Sequence, residues 1–213
     1  MVVIVHFWAC RQTTTHPANT HTHTTLSYQQ QRLARYLGTV WPAARQQVQN
    51  ADLVIRLGAD MTSEMLRQLN LQNASFSHCG IASIENDTVF IYHAIGGEFN
   101  PTQKLKREPL YNFGHPTENK AIAIYRPLAN PAQRLQIIAG ARQAHQAGLP
   151  FDMDFNYQSN DQQYCAEFVA KCLVKALNDS SWLQFTKVGS FEYVAVDNLF
   201  LSTIMTPVAT WHY

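Results

Sequence analysis

The sequence predicts an α+β domain: antiparallel strands packed against helices, with a cysteine at a helix N-terminus. Three observations carry this. Two strand-like runs, 76–84 and 88–95, flank a tight polar turn at Glu85-Asn86-Asp87 and read as a hairpin. Phe168, Val169, Cys172, Leu173 and Ala176 recur at helical spacing. Cys165 falls at the start of that helix, where Asp161 is placed to act as N-cap.

The bulk properties fit one globular domain with a tail. The chain has 213 residues, 46% of them hydrophobic and 15% charged, enough for a sizeable core. A formal net charge of +1 gives no electrostatic case for a nucleic-acid partner. Cys10, Cys79, Cys165 and Cys172 form no C-x-x-C pair and are too few for a disulfide scaffold. No run approaches the ~20 apolar residues of a transmembrane helix.

Three segments follow along the chain: 1–25, 26–50 and 51–213. Residues 1–10 are apolar but lack the basic n-region of a secretory signal. Phe7-Trp8-Ala9-Cys10 nevertheless resembles the end of a bacterial lipoprotein signal, with bulky Trp8 where a small residue is usual. That resemblance implies lipidation of Cys10, membrane attachment and a place in the bacterial cell envelope rather than the cytoplasm. The other reading is an unstructured apolar end. Residues 11–25 are Thr- and His-rich, including His16, His21 and His23. They read as a flexible linker, with metal binding as the alternative.

Residues 26–50 are expected to be helical, with Tyr28, Leu33, Leu37 and Val40 as a patchy apolar stripe and a second segment from Pro42. Asp52 to Leu57 reads as a strand. Asp60 or Thr62 opens a short helix through Leu69. After the hairpin, residues 96–119 carry Gly96, Gly97, Pro101, Pro109, Gly114 and Pro116 and read as a long loop. Ala121 to Arg126 is a further strand. Pro131 suits the first turn of a helix running to Ala147, and Gly148 suits its end. The stretch from Trp182 onward is rich in aromatics.

A thiol in the first turn of a helix feels the positive end of the helix dipole, which favours the thiolate. The competing reading of Cys165 is a small buried hydrophobe. A nucleophilic cysteine needs a base, and two histidines stand in the hairpin, His78 and His93. Counting from the turn places them opposite each other or one step off, on one face, so that His93 orients His78. Gly80 leaves that face uncrowded, while Cys79 points to the other face and reads as core.

The motifs Ser77-His78-Cys79-Gly80-Ile81, Val89 to Gly96, Phe151 to Phe155 and Gln163 to Val169 together resemble the permuted papain-like hydrolases of the YiiX/YaeF/YebB type, relatives of the NlpC peptidases. Asp52-Leu53-Val54-Ile55 resembles their opening strand, and Thr206 to His212 their YebB-type ending. The resemblance spans about residues 51–213. It implies a circularly permuted papain-like fold, Cys165 as nucleophile and His78 as base. The third polar residue, commonly glutamate, falls on His93. Histidine there is a departure, because it brings no negative charge. Tyr164 is placed to line the substrate cleft, and Glu167 to cap the helix or hold the Cys165 turn.

The expected chemistry is acyl transfer through a covalent acyl-enzyme on a small-molecule, peptide or acyl substrate, an amide, ester or thioester, either cell-wall peptide or lipid-linked. No cofactor is expected. Two rival readings remain: a zinc site built from Cys165, His78 and His93, and a binding domain with no catalysis.

Overall fold

The computed structural model describes residues 26–96 and 102–213. Cys10, the Thr/His-rich tract and Gly97 lie outside these residues. A six-stranded, wholly antiparallel sheet organises the rest, in the order β4-β3-β2-β1-β5-β8. Its strands are β1 (Leu53–Gly58), β2 (His78–Glu85), β3 (Thr88–His93), β4 (Lys106–Pro109), β5 (Asn119–Pro127) and β8 (Met205–His212). A two-stranded ribbon, β6 (Thr186–Val188) with β7 (Phe191–Tyr193), stands apart.

Alternation along the strands gives the sheet two apolar faces. Leu53, Ile55, Cys79, Ile81, Ala121 and Ala123 pack against α5 (Pro131–Ala147), α6 (Cys165–Leu177) and α7 (Val196–Phe200). Val54, Ala82, Ile91, Ile122 and Ile124 face the opposite way. They are covered by α1 (Tyr28–Arg35), a π-helical turn (Tyr36–Val40) and α2 (Trp41–Gln47), through Tyr36, Val40 and Ala44. Residues 26–50 therefore roof the sheet. Arg32 pins them by donating to the Asn119 carbonyl, and Tyr36 Oη donates to the Tyr111 carbonyl at 2.7 Å.

Local chemistry explains most boundaries. Asp60 caps α3 (Met61–Arg67) by accepting from Ser63 N–H at 2.9 Å. Asn130 caps α5, Pro131 occupies its first position, and Gly148 ends it with φ +65°. The hairpin turn has φ +46° at Asn86 and +62° at Asp87, the two positive values of a type I′ turn. Asp52, wholly buried, opens β1 and accepts from Arg126 at 2.9 and 2.8 Å.

Two expectations are corrected. Residues 96–119 contain β4 and α4 (Leu110–Phe113) as well as loop. The strand is four residues long, sits at the sheet edge and reads Lys-Arg-Glu-Pro, so its sequence has neither apolar alternation nor β-formers to reveal it. The helix carrying Cys165 begins at that residue with Tyr164 as N-cap, three residues later than an Asp161 cap implies. The cause is Asp152, which is fully buried. It accepts from the N–H groups of Asp154 and Asn156, both at 2.8 Å, and from Gln162 Nε2 at 3.1 Å. Those bonds hold the residues before Cys165 in a loop.

Candidate active site

Cys165 is the first residue of α6. No conventional side-chain cap precedes it. Instead the Glu167 carboxylate turns back and accepts from Tyr164 N–H at 3.1 Å, while pairing with Lys171 at 2.7 Å. The expected role of Glu167 in holding this turn is thus present. Glu167 is fully buried, and burial pushes its carboxyl up to about 7 against the pull of Lys171 and of the Tyr164 N–H.

The Cys165 thiol sits below its ordinary pKa. The first cause is a hydrogen bond from the Cys79 thiol. Burial opposes it, and the N–H groups of Ala166, Cys79 and Cys165 itself reinforce it. Cys79 behaves conversely: burial, then its bond to Cys165, pushes its thiol well up, so it stays a protonated donor. Sequence reasoning assigned Cys79 to the core. It is in the core, and it also faces Cys165, because α6 packs on the sheet face to which Cys79 points.

The two histidines converge directly. His78 Nε2 and His93 Nδ1 are 2.8 Å apart, with the rings edge to face. The ladder register, Ile81 opposite Tyr92, makes this contact diagonal rather than the near-opposite pair expected from the turn. Gly80 makes it fit. A Cβ there would lie 2.6 Å from the Tyr92 carbonyl oxygen and 3.0 Å from His93 Cβ. Both rings pack against Phe113 of α4.

Burial holds both imidazoles below their ordinary pKa, His78 the more strongly. Arg56 and Lys106 push in the same direction, and for His93 the Glu108 carboxylate pushes back. Both rings are therefore neutral near pH 7.

Cys165 and His78 line one cavity of ≈ 580 Å³, at the end of the sheet between α3, α6 and the segments around Phe151 and Val194. Among the described residues no hydrogen bond joins Cys165 to either imidazole; His78 spends Nε2 on His93, and the sulfur meets Cys79. Strand alternation is the reason. His78 and Cys79 point to opposite faces, and only the position of His78 at the first residue of β2 brings it to the cavity. Tyr164 lines the same wall, but its hydroxyl is committed inward, accepting from Val194 N–H at 2.8 Å.

Two site residues were missed in the sequence. Arg56 of β1 pairs across the ladder with His78, lines the cavity, and donates to the Phe113 carbonyl at 2.9 Å with its guanidinium 4.6 Å from the Phe113 ring centroid. Alternation in Val54-Ile55-Arg56 was the available signal: it sets an arginine on the sheet face occupied by His78. Glu108 of β4 places Oε1 2.9 Å from His93 Nε2. The carboxylate sits off the ring N–H axis, and that buried nitrogen has no other partner among the described residues. Glu108 lay in a stretch read as loop, so no signal pointed to it.

A cysteine opening a helix that packs on an antiparallel sheet, with a buried histidine pair at the sheet's end, defines the papain-like class of thiol hydrolase architectures. Within it, a model of the permuted papain-like amidases, the YaeF/YiiX or C92 family, matches residues 52–194, and the chain belongs to that family. Among solved structures it resembles the crystal structure of the metalloprotein YiiX, DUF1105, from Escherichia coli O157:H7. The TM-score is 0.62 and the identity 20%, over 78% of this chain and 99% of that one. At this identity the likeness is one of fold. No curated protein matches the chain in sequence.

Proposed function

We propose that this protein is a thiol hydrolase that forms a covalent acyl-enzyme on Cys165, with His78 as base and His93 as its orienter. The observation that carries the proposal is the placement of a depressed thiol at a helix N-terminus, opening on the same cavity as a neutral, buried imidazole. His78 takes the thiol proton and the thiolate attacks the carbonyl of an amide, ester or thioester. The tetrahedral oxyanion draws on N–H groups at the start of α6. His78 then returns the proton to the leaving group, and water clears the thioester. Hydrogen bonds between catalytic groups are often long in the unliganded enzyme and shorten when substrate is bound. Ile95, Phe151, Phe155 and Val196 give the cavity a mostly apolar wall, which suits an apolar acyl or amino-acid group.

The solved relative is called a metalloprotein, which raises the zinc reading of Cys165, His78 and His93. These residues do not fit an ion. Two nitrogens on one tetrahedral zinc stand roughly 3.3 Å apart, from bonds of about 2.0–2.1 Å, with the metal between them. Here the facing nitrogens approach to 2.8 Å and bond to each other. Among the described residues no group of three His, Cys, Asp or Glu side chains forms a ligand set.

The test is acetylation by p-nitrophenyl acetate, followed by mass mapping. The proposal expects the acetyl group on Cys165, undiminished by chelator. It expects none on Cys165→Ala, and a larger loss of rate in His78→Ala than in His93→Ala. Label elsewhere, or equal losses in the two histidine variants, contradicts the assignment.

A further inference from the structure

We infer that Glu108 is a positioning residue of the site: through His93 it dictates which nitrogen of His78 carries the proton. The inference rests on the reading of Cys165 and His78 given above.

Two neutral imidazoles in contact can share their hydrogen bond in either direction. If His78 Nε2 donates, His78 Nδ1 is bare and can act as a base. If His93 Nδ1 donates, His78 carries its proton on Nδ1 and cannot. The 2.8 Å contact alone does not choose between these. An ionised carboxylate at the far end does, because it only accepts. Glu108 Oε1 lies 2.9 Å from His93 Nε2, so the proton of neutral His93 belongs on Nε2. Nδ1 of His93 is then an acceptor, Nε2 of His78 must donate to it, and Nδ1 of His78 is left free.

The charges around the pair agree. Arg56 on β1 and Lys106 on β4 both disfavour imidazolium at His78 and His93. Glu108 is the carboxylate in contact with His93, with Oε1 2.9 Å from Nε2 though off the N–H axis, and its charge favours a proton on that nitrogen. Burial pushes the Glu108 carboxyl up, but His93, Arg56 and Lys106 outweigh it and keep the group below its ordinary value, hence ionised near pH 7. Its charge also opposes Arg56 when His78 gains a proton during the reaction. The carboxylate that the family pattern places on the second strand of the hairpin is here one strand further out, with a histidine in between.

The test is long-range ¹H–¹⁵N correlation spectroscopy on the full chain labelled at histidine, together with Cys165 acetylation by p-nitrophenyl acetate. In the wild type both His78 and His93 are expected as Nε2–H tautomers. Glu108→Gln is nearly isosteric, and its amide can donate or accept, so the Nδ1–H form of His78 should appear. Acetylation should then fall roughly ten- to hundredfold, less than the roughly 10²–10⁴ that a positioned base supplies, because part of the population keeps the competent tautomer. Glu108→Asp keeps the charge and should restore most of the Nε2–H form and of the rate. A residue that only stabilised β4 would not move the tautomers. Unchanged tautomers in Glu108→Gln overturn the inference. A wild type not acetylated at Cys165 overturns the thiol-hydrolase reading instead, and the tautomers still decide the role of Glu108.

Discussion

Gly80→Ala tests whether the histidine pair depends on close approach of β2 and β3. The added Cβ would lie 2.6 Å from both the Tyr92 carbonyl oxygen and Ile91 Cγ2, and 3.0 Å from His93 Cβ. A methyl cannot occupy that space. The carbonyl belongs to backbone paired in the sheet, so it cannot rotate away as a side-chain tip would. Removing a strand glycine would by itself gain roughly 0.5–1 kcal/mol of backbone entropy. Overpacking a tight site costs about 1–3 kcal/mol. The clash is with main chain, so the second effect wins and the variant should lose about 1–2 kcal/mol. Urea unfolding followed by tryptophan fluorescence reads this directly. The same displacement should open the His78–His93 contact and alter the ¹⁵N shifts of both rings. A variant of wild-type stability with unchanged histidine shifts would refute the reasoning.

Two further perturbations probe what holds the cysteine loop. Glu167 has its pKa raised from 4.5 to about 7, so the folded state holds that proton more tightly than the unfolded chain does. Its contribution to stability is complete below about pH 4.5 and is lost as pH rises toward 7, by on the order of 2–3 kcal/mol. Glu167→Gln keeps an acceptor for Tyr164 N–H and should remove that part of the pH dependence from denaturant midpoints; persistence of the slope would assign it elsewhere. Asp152→Asn replaces an acceptor oxygen by an amide that faces donors, which should cost about 1–3 kcal/mol. Limited proteolysis should then cut faster between 153 and 162, and an unchanged cleavage rate would count against Asp152 as the anchor of this loop.

What the sequence made legible tracks how local the governing physics is. The helix from Pro131 to Ala147 has its cap, first-turn proline and terminal glycine written in consecutive residues. The hairpin turn at Asn86-Asp87 is equally local. The apolar stripe of α6 located that helix, but its start was misplaced, because the loop before it is held by Asp152, some ten residues away. The edge strand β4 escaped notice for a related reason. Lys106 to Pro109 forms a strand only because β3 offers it a partner. With β4 went Glu108, the carboxylate that stands beside His93. The direct encounter of Cys165 with Cys79 follows from which sheet face carries α6, a tertiary choice that alternation alone leaves open.

The most direct measurement is the rate of iodoacetamide alkylation of Cys165 against pH, with the modified residue mapped by mass spectrometry. An activated thiol should label fast down to about pH 6, ahead of Cys79 and Cys172. Labelling of Cys165 that rises only above about pH 8, as for a free thiol, would contradict the assignment of the nucleophile.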